Sequence, residues 1–410
     1  MFKFLNHASF LVDNILVDPW SKDSVFLNGW NLLKEFDNNI NNNYFEYIYI
    51  SHEHPDHFHI PTLKSIDNPQ TKTIIFHKTL DSKVIKFVKS LGFKTLEVES
   101  NRYYDLTSGR IKVQSNGFDS FFIYESKVTG KVLVNMNDYQ VTDESELTKL
   151  SLKKVDVLLS QFTYANWAGN KKDAQMPKKA QSIIYDRLKT QIKILKPDVW
   201  VPFASFIYFS HEENFYMNNF LPPLSDIQRF ADIQKVKCVF PVPEMSLDDR
   251  MAGNGIQYWT TMRKMIQPLH KNIPVDMEEV TESFHKMCDE LHYYNDMSLF
   301  ECDETYINVP DWQSNIKYDI KNRTFEVTTK LENDIVMSSE CLSFLLKNKW
   351  GRGTVMISGR CQVNYQTVNN FFNQTNLWYY NNIGKFLGKN LILKEIVNQD
   401  NFYQRLIGDL

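Results

Sequence analysis

Four histidines and one aspartate lie within residues 52–59, in the run Ser51-His52-Glu53-His54-Pro55-Asp56-His57-Phe58-His59. Buried imidazoles need hydrogen-bond partners, and several neutral rings placed together would leave polar atoms unpaired. A cation satisfies them instead. The spacing His-x-His-x-Asp-His offers two nitrogens on one side and an oxygen with a nitrogen on the other, which predicts the start of two adjacent metal sites. A solvated loop without metal and a single-metal site are the alternatives.

A pair of adjacent divalent ions indicates catalysis, because structural zinc is usually closed by four ligands rich in cysteine. Residues 44–50, directly before the histidines, are aromatic and β-branched and predict a buried strand. Pro61 follows them at a position typical of the first turn of a helix. The pattern therefore places the ligands in a loop between a strand and a helix.

The order strand, HxHxDH motif, helix resembles the metallo-β-lactamase superfamily. This resemblance implies an α/β fold, an αββα sandwich with a dinuclear metal site at one sheet edge. It also implies that Asp138 bridges the ions at the end of a strand, with Asp56 and Asp138 as the catalytic carboxylates. The implied metal ligands are His52 and His54 on the first ion, Asp56, His57 and His211 on the second, and Asp138 on both.

The superfamily usually supplies one more histidine to the first metal, but residues 115–120 contain none. Asn116 or Asp119 could take that place, since oxygen ligands suit iron or manganese better than an all-histidine set. An open face on that metal is the alternative. His59 could orient a ligand from outside the coordination shell, cap the following helix or face solvent.

The N-terminal segment carries two further resemblances. Asn6-His7-Ala8-Ser9-Phe10-Leu11 resembles the opening strand of the ascorbate-6-phosphate lactonase branch, which implies a metal or pocket position for His7. The stretch with Trp20, Asn28 and Trp30 is similar to one in the CMP-N-acetylneuraminate hydroxylases, and these residues are candidates for the substrate pocket. Packing onto the sandwich is the alternative for both tryptophans.

The 410 residues suffice for a catalytic domain at 1–245 and a C-terminal α+β extension at 246–410, which could cap the site or form a homodimer. The content of hydrophobic residues is 43%, as in a folded globular protein. The net charge of −3 gives no electrostatic footprint for nucleic acid or an anionic membrane. With no signal-peptide pattern and no long apolar run, a cytoplasmic enzyme of a small molecule is expected.

Three functions fit these features. The first is a diiron oxygenase or oxidase of a small polar or sugar-nucleotide-like substrate. The second is a dinuclear zinc or manganese hydrolase of a lactone, amide or phosphodiester, and the third is a binding module with a degenerate site. Iron is the favoured metal, and zinc or manganese are the alternatives. The hydroxylases carry a Rieske domain with Cys-x-His pairs, but no cysteine precedes Cys238 here. An oxygenase would therefore need a separate electron-transfer protein or electrons from its substrate.

Overall fold

The computed structural model describes residues 2–36, 39–141, 143–246, 254–397 and 406. Its strands are β1 (Phe2–Asn6), β2 (Ser9–Val12), β3 (Ile15–Val17), β4 (Trp30–Leu32), β5 (Tyr47–Tyr49), β6 (Thr73–His77), β7 (Lys94–Val98), β8 (Arg102–Asp105), β9 (Gly109–Ser115), β10 (Ser120–Ser126), β11 (Val132–Asn137), β12 (Val157–Gln161), β13 (Val199–Phe203), β14 (Ile207–Phe209), β15 (Lys237–Cys238), β16 (Thr305–Val309), β17 (Ser314–Asp319), β18 (Thr324–Thr328), β19 (Ile335–Met337) and β20 (Cys361–Val363). Its α-helices are α1 (Ile60–Lys64), α2 (Lys83–Ser90), α3 (Glu144–Thr148), α4 (Gln175–Leu195), α5 (Leu224–Ile233), α6 (Gly255–Met265), α7 (Met277–Tyr294), α8 (Ser339–Lys347), α9 (Gly351–Ser358), α10 (Val368–Asn382) and α11 (Leu393–Val397).

Two sheets face each other in the N-terminal half. One has the strand order β1-β2-β3-β5-β6-β7, and the other has the order β15-β13-β12-β11-β10-β9-β8. Aromatic side chains fill the space between them: the Tyr49 and Phe122 rings lie 4.6 Å apart and the Phe10 and Phe203 rings 5.3 Å apart. Successive residues of a strand point to opposite faces, so Tyr49 enters this core while Ile48 packs on the outer face.

Helices cover both outer faces. Ile48 joins Leu63 of α1 and Val84 of α2 in a separate cluster outside the first sheet. Leu188 of α4 and Ile227 of α5 belong to the core that includes the second sheet. The layers are thus helix, sheet, sheet, helix, and the predicted αββα sandwich is confirmed.

The C-terminal half contains a sheet of order β18-β17-β16-β19-β20 together with helices α7 to α11. Its apolar cluster also includes Trp20, Phe26 and Trp30 from the N-terminal half. Trp259 of α6 stacks on Phe206 at 4.3 Å in the N-terminal core. The domain boundary at residue 245 stays a prediction. Within the described ranges, every helix is too short or too polar to cross a lipid bilayer.

Parallel pairing determines where the polar loops meet. Strands β3, β5 and β6 run parallel in the first sheet, and β11, β12 and β13 run parallel in the second. The carboxyl ends of parallel strands lie at one edge of a sheet, where α/β proteins bind their ligands. The residues that follow β1, β3, β5 and β11 meet at this edge.

Candidate metal centre

The loop after β5 folds back on itself to bring its imidazoles together. The backbone amides of His57 and Phe58 both donate to the carbonyl oxygen of His54. As a result, the His52 ring lies 4.5 Å from the His54 ring and 4.3 Å from the His57 ring. The close spacing of the histidines in the sequence therefore brings their ring nitrogens together in the structure.

One group of ligand atoms forms around Asp138, which follows β11. His52, His57 and Asp138 each present one atom within 4.8 Å of the other two. Oδ2 of Asp138 lies 3.8 Å from Nε2 of His52 and 3.8 Å from Nε2 of His57. Nδ1 of His54 faces Nε2 of His52 at 2.8 Å. Asp138 thus stands between the two halves of the histidine motif, the position expected of a bridging carboxylate.

A second group consists of His7, Asp56 and His57. Oδ2 of Asp56 lies 3.2 Å from Nε2 of His7 and 3.1 Å from Nε2 of His57. His7 comes from the turn between β1 and β2, and its side chain is 1% exposed. The structure brings His7, one of the candidates for the metal or pocket, into direct contact with the metal motif.

Unpaired polar atoms at this site fit cations. The buried atoms Oδ1 of Asp56, Oδ1 of Asp138 and Nδ1 of His7 have no hydrogen-bond partner among the described residues. A buried carboxylate oxygen without a donor is costly unless a positive charge compensates it. Imidazole nitrogens together with carboxylate oxygens suit zinc, manganese or iron, so the donor set fits a pair of such ions.

The electrostatics at His54 and Asp56 favour the protonation states that metal ligands need. Burial lowers the pKa of His54 to about 3, and the neighbouring His52 adds to this effect. Burial opposes the charged form of Asp56, but His57 and His7 outweigh it and hold the pKa of Asp56 well below its usual range. A neutral imidazole and an ionised carboxylate are the forms that bind metal.

Two further aspartates orient the imidazoles. Oδ2 of Asp18, directly after β3, lies 3.0 Å from Nδ1 of His57. Oδ1 of Asp119 lies 3.2 Å from Nδ1 of His52. Each carboxylate accepts a hydrogen bond from the N–H group at Nδ1 and leaves Nε2 facing the ligand cluster, an arrangement common around protein metal sites. Asp119 was a candidate for the missing ligand of the first metal, and its contact with the far nitrogen of His52 indicates an orienting role.

His211 lies outside both ligand groups. It follows β14, where Nδ1 accepts from the backbone amide of Glu213 at 3.2 Å and the imidazole lies beside Arg360. The structure therefore does not bring His211 into either group, and its role on the second metal stays a prediction. His7 contacts Asp56, and the carbonyl oxygen of His7 accepts from the amide of Ala204 after β13 at 3.1 Å.

Asn116 and His59 have other local roles. Oδ1 of Asn116 accepts from the backbone amides of Phe118 and Asp119 and closes a turn, so this oxygen is not directed at the metal motif. His59 is the N-cap of α1, with Nδ1 accepting from the amide of Thr62 at 3.3 Å. Of the alternatives for His59, the structure shows the helix cap.

A cavity of about 430 Å³ opens beside the candidate ligands. Of the three predicted pocket residues, Trp30 lines it, whereas Trp20 and Asn28 are absent from its wall. Trp20 packs edge-on against the His7 ring at 5.6 Å, and the carbonyl oxygen of Asn28 accepts from Oγ of Ser210. The cavity wall consists of Phe26, Trp30, His52, His54, Asp56, Asn116, Phe118, Asp119, Asp138, Gln140, Gln161, Tyr164, Ala165, Asn166, Ile184, Ala204, Gly353 and Ile357.

Three residues with contacts at this site were missed by the sequence analysis. Asp18 has a recognisable signal, because an aspartate that directly follows a predicted strand is expected at the same edge as the histidine loop. Gln161 ends β12 in the same way, but the sequence assigns no chemistry to a lone glutamine. Phe26 occupies an irregular loop, and only its place in the fold directs its ring to His54, 5.8 Å away.

The sequence itself confirms this architecture. Residues 1–183 match the family model of a β-lactamase superfamily domain, Lactamase_B_3. The chain is a metallo-β-lactamase-fold protein. The match to the family model ends within α4. The matched residues therefore include the histidine loop, Asp138 and His7 but not His211. A search of curated proteins finds no match to this metallo-β-lactamase-fold protein.

Several solved structures are similar to this metallo-β-lactamase-fold protein. CmlA, a diiron β-hydroxylase from Streptomyces venezuelae, is 11% identical with a TM-score of 0.39, over 59% of this chain and 52% of that chain. The isothiocyanate hydrolase from Delia radicum gut bacteria is 13% identical with a TM-score of 0.38, over 60% of this chain and 97% of that chain. YhfI from Bacillus subtilis is 14% identical with a TM-score of 0.38, over 58% of this chain and 89% of that chain. The match thus spans about half the length of CmlA, and similarity at this level does not extend to the reaction.

Proposed function

We propose that this protein is a dinuclear metal-dependent oxygenase or oxidase that holds two iron ions and acts on a small polar substrate. One observation carries the proposal: the clustered side chains can supply two imidazoles and one carboxylate to each ion. His57 belongs to both ligand groups and can bind only one ion, so His7, His57 and Asp56 would hold one ion. His52, the adjacent His54 and Asp138 would hold the other. A set of two histidines and one carboxylate with open coordination positions is typical of non-haem iron oxygenases. Two ions of iron held in this way would bind and activate dioxygen.

The side chains around the ions have defined tasks in this proposal. Asp18 and Asp119 hold protons on Nδ1 of His57 and His52, so Nε2 of each ring remains a lone-pair donor. Oδ2 of Asp138 lies 3.8 Å from Nε2 of both His52 and His57, so this carboxylate would reduce the repulsion between cations held by these two rings. Nδ1 of His54 lies 2.8 Å from Nε2 of His52, so its lone pair would face the same ion. These contacts fix the ligands before the metals bind.

The cavity wall supports a small substrate beside the ions. Phe26, Trp30 and Phe118 surround the exposed side of the histidine loop, and the Phe118 ring lies 5.6 Å from the His54 ring. Aromatic walls exclude water and hold a substrate in place. We propose that the substrate enters between the histidine loop and helix α9, which contributes Gly353 and Ile357.

The electrons for an oxygenase reaction would come from outside the cavity or from the substrate. All five cysteines are free, and none of them lines the cavity. A cysteine-ligated cluster beside the metal centre is therefore not part of the proposal. We propose a separate electron-transfer protein or a substrate that is itself oxidised.

A second candidate is a dinuclear zinc or manganese hydrolase of a lactone, amide or phosphodiester. The pairs Asp18–His57 and Asp119–His52 favour it, because carboxylates that bind the far nitrogen of a ligand histidine also surround catalytic zinc. Two histidines and one carboxylate also occur in hydrolytic zinc sites. The two candidates differ in their response to oxygen.

Anaerobic loading with ferrous iron followed by exposure to oxygen tests the proposal. The wild type should bind two irons and change its optical spectrum on oxygenation, while Asp138→Ala should lose this change. Asp67→Asn, on an exposed turn away from the cavity wall, is the control and should behave as the wild type. The oxygenase proposal is wrong, and the hydrolase is favoured, if the iron-loaded protein shows no spectral change with oxygen and the zinc-loaded protein hydrolyses esters or amides.

A further inference from the structure

A buried arginine stands behind one amide of the cavity wall. Gln161 ends β12 and lines the cavity. Arg187, on the inner face of α4, donates from Nη2 to Oε1 of Gln161 at 2.6 Å. Both side chains are buried. No role in the proposed reaction has been given to either residue.

This contact fixes which end of the amide faces the cavity. A guanidinium group can only donate hydrogen bonds, so the atom of Gln161 beside Arg187 must be the carbonyl oxygen. The amide NH2 group therefore points away from Arg187. Among the described residues, the side chain of Gln161 has no second hydrogen bond, and this side chain lines the cavity. Gln161 thus presents two hydrogen-bond donors to the cavity.

Helix α4 holds this donor close to the candidate bridging carboxylate. Nη1 of Arg187 donates to the carbonyl oxygen of Asp138 at 3.3 Å. Ile184, one turn earlier on α4, lines the cavity itself. Nε2 of Gln181 donates to the carbonyl oxygen of Phe162 at 2.9 Å, which fixes the helix against the end of β12. The donor therefore has a rigid support and little freedom to turn.

The remaining wall sets the class of ligand. Among the residues that the structure describes, the lining contains no lysine or arginine. Apart from the aspartates and histidines of the candidate metal centre, the lining combines aromatic and aliphatic side chains with the amides of Asn116, Gln140 and Asn166. Such a wall suits an uncharged ligand with an apolar body and a polar group that accepts hydrogen bonds.

We propose that Gln161 is a substrate-binding residue whose NH2 group, oriented by Arg187, binds the carbonyl oxygen of an uncharged amide or N-acyl substrate. The inference rests on the proposed function, because it places this substrate beside the metal pair. A bound molecule that covers this donor without accepting its hydrogen bond removes it from water at a cost. The site should therefore discriminate against molecules that cannot accept a hydrogen bond at this point.

The test compares two probes of nearly equal shape on the iron-loaded protein under anaerobic conditions. Benzamide is uncharged and carries a carbonyl oxygen, whereas benzamidine is a cation near neutral pH and carries only donors at the same position. Calorimetry should show that the wild type binds benzamide at least about tenfold more tightly than benzamidine. Gln161→Glu keeps the size and the contact with Arg187 but turns an acceptor towards the cavity, so it should reverse this preference. Gln114→Glu on β9, outside the cavity wall, should leave it unchanged. The Gln114→Glu control therefore measures how much an added negative charge alone changes the preference.

Two further variants keep the proposal falsifiable. Arg187→Met frees Gln161 to present either end, and should bring the affinities for the two probes close together without abolishing binding. If Gln161→Glu does not fold, Gln161→Met should weaken benzamide binding about tenfold and give no gain for benzamidine. The proposal is wrong if the wild type does not bind benzamide, or if Gln161→Glu keeps the wild-type ratio.

Metal content separates this inference from the proposed function. It is measured on each variant before the titrations and should stay at two irons per chain. A normal metal content with an unchanged probe ratio contradicts only the role of Gln161. Loss of iron or of the oxygen response in the wild type contradicts the function itself.

Discussion

Asp18 is the clearest case of one side chain that organises the site. It is fully buried, and its carboxylate accepts from the amide and hydroxyl of Ser51, each at 2.8 Å, and from Nδ2 of Asn137 at 3.0 Å. Its contact with Nδ1 of His57 completes the set. These bonds join the ends of β3, β5 and β11, so the carboxylate both holds the sheet edge together and orients a ligand.

Removing the charge of Asp18 should weaken metal binding. Asp18→Asn keeps the shape of the side chain but turns an NH2 group towards donors that need an acceptor. Loss of such an orienting partner typically lowers metal affinity about 10-fold to 100-fold. Chelator competition with zinc would measure the change. Asp13→Asn, in the turn before β3, is the matched control, and equal affinities for the two variants would contradict the orienting role.

At the scale of single residues, the sequence predicts ligands that lie close together in the chain better than ligands that only the fold brings together. His52, His54, Asp56 and His57 lie within six positions, so the loop brings them together whatever the rest of the chain does. The partner of Asp56 depends on how β1 and β13 meet, which no local pattern reveals. The structure brings His7 to Asp56, whereas the role of His211 on the second metal stays a prediction.

At the scale of elements, the loop before β4 has an uncommon conformation. Phe26, Leu27 and Asn28 have φ angles of 51°, 54° and 59°, all in the left-handed region. Each such residue outside glycine costs about 1 kcal/mol or more, so the surroundings must hold it in place. Arg360 donates to the carbonyl of Leu27 at 2.7 Å, and Ser210 donates to that of Asn28 at 3.0 Å. The result is that the Phe26 ring reaches the cavity.

The turn residues Asn28 and Gly29 are visible in the sequence, but this conformation is not. A left-handed run of three side chains follows from contacts with residues near 210 and 360, and such contacts lie beyond any local pattern. Pairs such as β5 with β6 were predictable because alternation and apolar runs reflect burial directly.

Adding a methyl group at Gly29 should destabilise the protein. A Cβ atom there would lie 2.7 Å from Cβ of Ser358 and 2.8 Å from the carbonyl oxygen of Phe26. We expect Gly29→Ala to lower the free energy of unfolding by about 1–3 kcal/mol. Gly353→Ala on α9 meets no atom within 4 Å and should raise it by about 0.5–1 kcal/mol, as expected for a glycine in a helix. Thermal unfolding compares the two, and a stable Gly29→Ala would contradict the packing argument.

At the scale of the whole molecule, one arginine joins the two halves. The Arg360 side chain is 0% exposed and donates to Glu213 at 2.6 Å and to Glu340 at 2.5 Å. Glu213 belongs to the N-terminal half and Glu340 to α8. Around this contact, the large apolar cluster combines residues from both halves, including Trp30 and Met356. The C-terminal half therefore supports the loop that contributes Phe26 and Trp30 to the cavity wall.

Replacement of Arg360 should strongly lower the free energy of unfolding, and two further substitutions should restore part of it. Arg360→Met leaves two poorly solvated carboxylates without a counter-charge, which typically costs about 3–5 kcal/mol. The triple variant with Glu213→Gln and Glu340→Gln removes that charge and should regain much of the loss. Denaturant unfolding of the wild type and both variants measures the difference. A triple variant that is no more stable than Arg360→Met would show that the ion pairs are not the cause.

We propose two adjacent metal sites, and we propose that His7, not His211, completes the second one. The number of metal ions bound per chain tests this most directly. Elemental analysis after loading with ferrous iron and removal of excess metal should give two ions per chain for the wild type and for His211→Ala. It should give about one ion for His7→Ala, because the second group then loses one of its three ligands. Two ions in His7→Ala together with one in His211→Ala would contradict this account of the site.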